Sequence, residues 1–368
     1  MVSDIHRALF QAQRSIGLVL LGKGNIGSRW LSLFAEQKAA LEKRHGMSFE
    51  LISVLDSDSL WVDFNGIDAE SVMTRFDEMA TPYQGGEWLT HLLNHPYDEI
   101  VVLDVTASAP LSLQYPDLAE HGYHLISANK FAGSAHGDLY HQVQDAFAKT
   151  GRFWLYNATV GAGLPVNHAV RDLRESGDQI TAISGIFSGT LSWLFQQYNS
   201  EIPFSELLEQ AWQQGLTEPD PREDLSGADV MRKLVILARE SGLDLEPEQV
   251  QVQSLVPESL SQLSLDAFLD HSSELDDVLE EWWNKARKEH GVLRYVARLS
   301  RKGKARVGIE VLPEEHPLAN LLPCDNIFAI ESQWYRENPL VIRGPGAGRD
   351  VTAGALLSDL NRIAALLK

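Results

Sequence analysis

The chain holds a single cysteine, Cys324, in 368 residues. One thiol excludes an intrachain disulfide framework and any zinc site built from several cysteines, and it fits a reducing cytoplasm. No apolar run approaches the ~20 residues that a membrane-spanning helix needs. The opening "MVSDIHRALFQAQRS" mixes charges where a signal peptide would carry its apolar core. Basic residues are scarce as well: 31 Lys and Arg stand against 51 Asp and Glu, a formal net charge of −20. A field of that sign repels phosphate backbones and anionic lipid, so neither nucleic acid nor a membrane is an expected partner. From Glu240 to Asn284 there is no Lys or Arg at all, which reads as a solvated acidic helical surface. What remains, 44% hydrophobic and 22% charged, is the composition of a globular, cytoplasmic protein of two or three domains.

The first third alternates strand-like and helix-like segments. Apolar runs at Ile16–Gly22, Phe49–Leu55, Glu99–Thr106 and His124–Ala128 have strand length, and a helical pattern runs from Ile26 to about Lys43. Such alternation predicts a doubly wound parallel sheet, with strands buried on both faces. After "RFWLYNATVGAGLPV" the texture changes. "ITAISGIFSG" and "VLRYVARLSRKGKARVGIEVL" read as antiparallel strands, the second turning at Lys302–Gly303. The fold class is therefore α/β: an N-terminal Rossmann-type domain over residues 1–150, then an α+β domain over 151–344. The C-terminal helix, 345–368, is expected to pack back on the first domain.

Six stretches carry chemistry. In "LLGKGNIGSRW", Gly22, Gly24 and Gly27 form G-x-G-x-x-G between a strand and a helix. The first glycine permits a tight turn, the second lets backbone approach a pyrophosphate, and the third lets helix and strand pack closely. The N–H groups at the helix start, around Asn25 and Ile26, would face the anion. Asp56 ends the next strand, where a carboxylate accepts ribose hydroxyls and repels a 2′-phosphate; a plain turn aspartate is the competing reading. "DVTASAP", with Thr106, and "SANK", with Lys130, both follow strands, and ligands bind beyond strand ends in open α/β sheets. "YNATVGAGLPV" offers glycines for close backbone approach, to a ligand or as a hinge. "RGPGAGRDVTAGAL", with Gly348, is a second glycine turn opening a helix. "LTEPDPREDLSGADVMRKLVILARE" places Glu218, Asp220, Glu223 and Asp224 before a helix that holds Asp229 and Lys233 four residues apart. Pattern alone puts that pair on an exposed helix face, contributing ~0.3–0.5 kcal/mol.

In this order, "ATVGAGLP", "GIFSGT", "TEPDPREDLSGADVMRK" and "GPGAGRDVTA" resemble homoserine dehydrogenase. The likeness runs from about Arg14 to Leu367 and is greatest to the dehydrogenase half of the bifunctional aspartokinase–homoserine dehydrogenases. "DIHRALFQAQRS" looks like the end of the linker between the two halves, so fusion to aspartokinase in the native protein is one expectation. The resemblance implies reversible, NAD(P)-dependent interconversion of L-homoserine and L-aspartate 4-semialdehyde, a step of threonine and methionine biosynthesis. It further implies that Lys233 is the catalytic acid/base and that Lys130 is a second active-site lysine bordering nicotinamide and substrate. Glu218 then matches a substrate-binding glutamate and Asp224 an acidic residue of the same pocket, while the spacing of Asp229, four residues before Lys233, lets it orient that ammonium. Cofactor contacts fall on Gly22, Gly24, Asn25, Ile26, Gly27, Asp56, Thr106, Lys130 and Gly348. A homodimer through the second domain is implied too, with Val292–Val311 supplying a shared sheet.

One position departs from the family pattern. Many members carry an acidic residue where this chain has Asn157, beside a monovalent cation. Carbonyls of Val160, Ala162 and Leu164 would still hold sodium, more weakly for the missing charge. Cofactor choice stays open, because "SDS" after Asp56 supplies no basic group. Two rival readings remain. A semialdehyde dehydrogenase working through a thiohemiacetal would need Cys324 as nucleophile. A non-catalytic dinucleotide-binding regulator would have no use for both Lys130 and Lys233.

Overall fold

The computed structural model describes residues 14–368, so the linker-like "DIHRALFQAQRS" lies outside the described residues except for Arg14 and Ser15. Two compact units emerge. One runs to Ala132 and takes in Asp138–Ala158 and Arg349–Lys368; the other comprises Gly133–Gly137 and Thr159–Gly348.

The first unit is built on a seven-stranded sheet. Its strands are β1 (Ser15–Leu21), β2 (Ser48–Leu55), β3 (Ser59–Val62), β4 (Thr81–Pro82), β5 (Glu99–Asp104), β6 (His124–Ser127) and β7 (Trp154–Leu155), in the order β4-β3-β2-β1-β5-β6-β7. β2, β1, β5, β6 and β7 are parallel. Ile16, Leu18, Val19 and Leu20 of β1 are fully buried, as a strand covered on both faces must be. Strand order reverses at β1, the topological switch beyond which such sheets bind ligands.

Two local features differ from the sequence reading. β5 stops at Asp104 instead of Thr106, because the Asp104 carboxylate accepts from the backbone N–H and the hydroxyl of Thr106, at 2.8 and 2.7 Å. That side-chain turn draws the chain out of the ladder. The sheet also ends in an antiparallel edge, β2-β3-β4, which the alternation did not foreshadow. Asp56 makes it: its Oδ1 accepts from Asp58 and Ser59 N–H at 3.1 and 2.8 Å and folds β3 back on β2.

Helix α1 (Asn25–His45) follows the glycine turn and buries Trp30, Leu31, Phe34 and Leu41. It ends where Gly46 enters the left-handed region, its N–H donating to Glu42 C=O, after a basic last turn that suits the helix dipole. The C-terminal helix (Arg349–Leu366) packs on α1, joining Leu356, Leu360 and Ile363 to Trp30 and Phe34 in one core. Arg29 to Asp350, at 2.5 Å, closes one end of that contact.

The second unit holds β8 (Ile180–Ile186), β9 (Val250–Val252), β10 (Gly291–Ser300), β11 (Ala305–Pro313), β12 (Asp325–Ser332) and β13 (Leu340–Pro345), in the order β13-β12-β8-β10-β11-β9. All neighbours are antiparallel except β11 and β9. β10 and β11 form a hairpin whose turn centres on Lys302–Gly303. Much of the acidic stretch folds into short helices and then Glu274–Lys288, which buries Leu275, Leu279 and Ala286 and exposes Asp277, Glu280 and Glu281. The stretch is not solvated throughout: Asp276 accepts from Ser205 N–H and Oγ at 2.8 and 2.7 Å, and Glu240 is buried against Arg171. Three further helices matter to the site: α2 (Gly189–Gln197), α3 (Pro221–Leu225) and α4 (Ala228–Glu240). Among the described residues, no helix is long and apolar enough to cross a membrane.

Candidate active site

In the first unit the register aligns the strand ends. Leu21 pairs with Leu55 and Asp104, and Asp104 with Ser127. The chain therefore leaves β1, β2, β5 and β6 at one level, presenting the glycine turn, Asp56, "VTASAP" and "ANK" along one edge. Gly22 sits at φ +99°, and its N–H donates to Leu55 C=O at 2.8 Å. A Cβ on Gly27 would lie 2.0 Å from the Gly22 carbonyl oxygen, so only glycine allows α1 to start there. A Cβ on Gly24 would meet nothing within 4 Å: that backbone faces open space. Gly24 is the N-cap, no side chain caps the helix, and its first turn holds no acid. The N–H groups of Asn25 and Ile26 thus begin a helix whose positive end suits an anion. These features fit a dinucleotide pyrophosphate.

Beyond β5 and β6 a buried knot positions Thr106 and Lys130. Asp104, fully buried, accepts from Tyr115 Oη at 2.7 Å and Asn129 Nδ2 at 3.1 Å besides Thr106. Burial pushes its carboxyl pKa up and these donors oppose the shift. Asn129 also donates to Ser108 C=O at 3.0 Å and accepts from Phe131 N–H at 3.0 Å, which fixes the backbone on both sides of half-buried Lys130.

The second unit brings Glu218, Asp224, Asp229 and Lys233 together. Lys233 is not on an exposed face: only 8% of it is accessible, because α4 is covered nearly all round from this residue onward. Its Nζ donates to Phe187 C=O at 2.7 Å and lies 2.8 Å from Asp229 Oδ2. Asn326, fully buried, donates to the same carbonyl at 3.1 Å. The neighbouring carboxylates divide by partner. Asp220 caps α3 and grips the Arg222 guanidinium, at 2.6 Å for the shortest contact, which spends its charge. Asp224 accepts from Glu218 N–H at 2.8 Å, and burial raises its pKa to about 6, with Glu218 and Asp229 adding repulsion. Glu218 itself is exposed. The result is a lysine ammonium and a group of carboxylates suited to a cationic, hydroxyl-bearing small molecule.

Two family models match the chain: one described as homoserine dehydrogenase over residues 165–360, more than half the chain, and its NAD binding domain over 22–157. The chain belongs to the homoserine dehydrogenase family. It is 58% identical over 367 residues to the bifunctional aspartokinase/homoserine dehydrogenase 2 of Escherichia coli (strain K12), covering 100% of this chain and 45% of that protein. The chain spans less than half the length of the curated relatives it matches. Among solved structures, a Candida auris protein described as of unknown function superposes with a TM-score of 0.88 at 31% identity, covering 96% and 99% of the two chains. A putative homoserine dehydrogenase from Archaeoglobus fulgidus gives 0.74 at 25% identity, over 95% and 99%.

Several supports of this candidate site escaped the sequence reading. Thr190, in "GIFSGT", donates to Leu216 C=O at 2.6 Å, and its hydroxyl lies close enough to Asp224 to oppose the rise in that carboxyl's pKa. The Phe187 carbonyl, also in "GIFSGT", holds Lys233 from the end of β8, and Asn326 of β12, which no quoted motif contains, donates to that same carbonyl. In "ATVGAG", Gly161 and Ala162 both have positive φ, so the turn is tightly coiled, and the Leu164 carbonyl accepts from Val166 N–H at 2.8 Å. Asn157 N–H donates to the buried carboxylate of Asp359 at 3.1 Å. Burial and Asp325 push the Cys324 thiol pKa up, away from the thiolate that a nucleophile needs.

Proposed function

We propose that the chain catalyses reversible NAD(P)-dependent interconversion of L-homoserine and L-aspartate 4-semialdehyde, with Lys233 as general acid/base. The observation that carries this reading is the setting of the Lys233 ammonium. Of its three donors, one goes to the Phe187 carbonyl and one to Asp229, which leaves a third for a substrate oxygen. A bound nicotinamide supplies or accepts the hydride. In the reductive direction the Lys233 ammonium delivers its proton to the nascent alkoxide; in the oxidative direction the neutral amine takes the hydroxyl proton. Asp229 and the Phe187 carbonyl fix the direction of that transfer. Glu218 and Asp224 receive the substrate ammonium, and Asp220, held by Arg222, does not. Family likeness supports Lys130 as a second active-site lysine and Gly348 as a cofactor contact.

The uncapped start of α1 and the open backbone at Gly24 support pyrophosphate binding at Gly22–Gly27, with Thr106 beside it. Sodium in the Val160, Ala162 and Leu164 turn, near Asn157, is a subsidiary proposal that rests on family likeness. So are a cytoplasmic location, a place in threonine and methionine biosynthesis, and fusion to aspartokinase. The homodimer through the second unit, with Val292–Val311 in a shared sheet, likewise rests on family likeness. The deciding experiment is homoserine-dependent reduction of NAD+ or NADP+, followed by nicotinamide absorbance. No turnover with either nucleotide, while both bind, would favour the non-catalytic regulator instead.

A further inference from the structure

The glycine turn carries a cation that the dinucleotide reading leaves unused. Lys23 lies between Gly22 and Gly24, and its Nζ reaches across to the end of β2, 3.4 Å from Asp56 Oδ2. The ammonium rests 4.6 Å from the centroid of the Phe76 ring and 4.0 Å from Asp77, whose side chain is 98% exposed. Phe76 is buried and so gives the ammonium a fixed platform. The contact with Asp56 is loose: 3.4 Å is long for a charge-assisted bond, and both side chains are a quarter to a third exposed. A pair of that kind contributes little and exchanges partners readily.

Asp56 is committed elsewhere. Its Oδ1 holds the N–H groups of Asp58 and Ser59 and so forms the β2–β3 turn. That leaves Oδ2 for a ligand, and Lys23 partly neutralises it. A carboxylate at this strand end ordinarily selects NAD by accepting the ribose hydroxyl and repelling a 2′-phosphate, whereas a nearby cation accommodates that phosphate.

We propose that Lys23 receives the 2′-phosphate of NADP, and that the Lys23–Asp56 pair, not Asp56 alone, sets the nucleotide preference. With NADP bound, the ammonium turns from Asp56 to a phosphate carrying roughly −1.5 to −2 charge. With NAD bound, the pair stays closed and Asp56 Oδ2 retains a lone pair for the ribose. This rests on the reading of Gly22–Gly27 as the dinucleotide site.

The test is equilibrium binding of NADP+ and NAD+ by intrinsic tryptophan fluorescence, without substrate, to the wild-type chain and to Lys23→Met, Lys23→Arg, Asp56→Ser and the double variant Lys23→Met/Asp56→Ser. Serine keeps a side-chain acceptor for the turn. Lys23→Met is expected to weaken NADP+ by about tenfold to a hundredfold, the loss of one charge-assisted bond, and to change NAD+ by less than about threefold. Lys23→Arg should retain NADP+ binding. Asp56→Ser should tighten NADP+ and weaken NAD+, and the NADP+ gain should vanish in the double variant. An unchanged NADP+/NAD+ ratio in Lys23→Met, with both nucleotides still binding, overturns the proposal. Failure of the wild-type chain to bind either nucleotide would instead overturn the dinucleotide-site reading itself.

Discussion

Replacing Lys233 by methionine keeps most of the stem volume and deletes the acid. Loss of a general acid typically slows a reaction by ~10²–10⁴-fold, which at about 1.36 kcal/mol per decade is about 2.7–5.4 kcal/mol of transition-state stabilisation. The structural cost is smaller and separable. Asp229, with 41% of its side chain exposed, can rehydrate, and the Phe187 carbonyl keeps its bond from Asn326 at 3.1 Å. Neither partner is left stranded, so the fold should lose no more than about 1–3 kcal/mol. The kinetic deficit should therefore appear in turnover, while dinucleotide affinity stays near wild type and thermal unfolding remains cooperative. Lys233→Arg should restore little, because a guanidinium does not release a proton near neutral pH. Steady-state kinetics in both directions, with nucleotide binding and a melting curve on the same preparation, make the comparison. Near-normal turnover in Lys233→Met, with folding and nucleotide binding intact, would return this lysine to a purely structural role.

Glu218→Gln should raise the KM for homoserine more than it lowers kcat, since its proposed partner is the substrate ammonium; a pure kcat effect would contradict that. Asp224, raised to about 6, loses its negative charge as pH falls, so kcat/KM for homoserine should drop up to tenfold per unit below about pH 6. Asp224→Asn, which still accepts from Glu218 N–H, should lower affinity and remove that acid limb; a limb that persists belongs to another group. Gly27→Ala drives a Cβ against the Gly22 carbonyl and should cost about 1–3 kcal/mol of stability together with most nucleotide affinity, read by melting and by fluorescence titration. Cys324→Ala should leave activity intact, and an inactive, folded variant would revive the thiohemiacetal reading. Light scattering at micromolar concentration should report a dimer, and a monomer would count against pairing through the second unit.

The buried strands of the parallel sheet, the glycine turn and the β10–β11 hairpin were legible from the chain because each shows itself in residues close together in sequence. An uninterrupted apolar run forms a doubly covered strand, and a glycine spacing marks a tight turn wherever it falls. The proposal of Glu218, Asp224, Asp229 and Lys233 as site residues came from the sequence for a related reason: they lie within one short stretch whose wording matches a family. Their settings did not. Helical periodicity placed Lys233 on a solvated face, since a wheel cannot know that other elements cover α4 on nearly every side. Whether Asp220 or Asp224 stays available for a ligand turned on Arg222 and the Glu218 N–H, a choice of geometry over composition. The cation beside Asp56 was sought in the residues that follow it, yet it comes from the glycine turn at the end of a different strand. Parallel pairing of β1 with β2 brings those two ends side by side, and only a folded sheet creates that proximity. Sequence determined which groups the chain possesses and the elements that carry them; tertiary structure decided which charges meet, because ion pairing acts over a few ångströms of space whatever the separation along the chain.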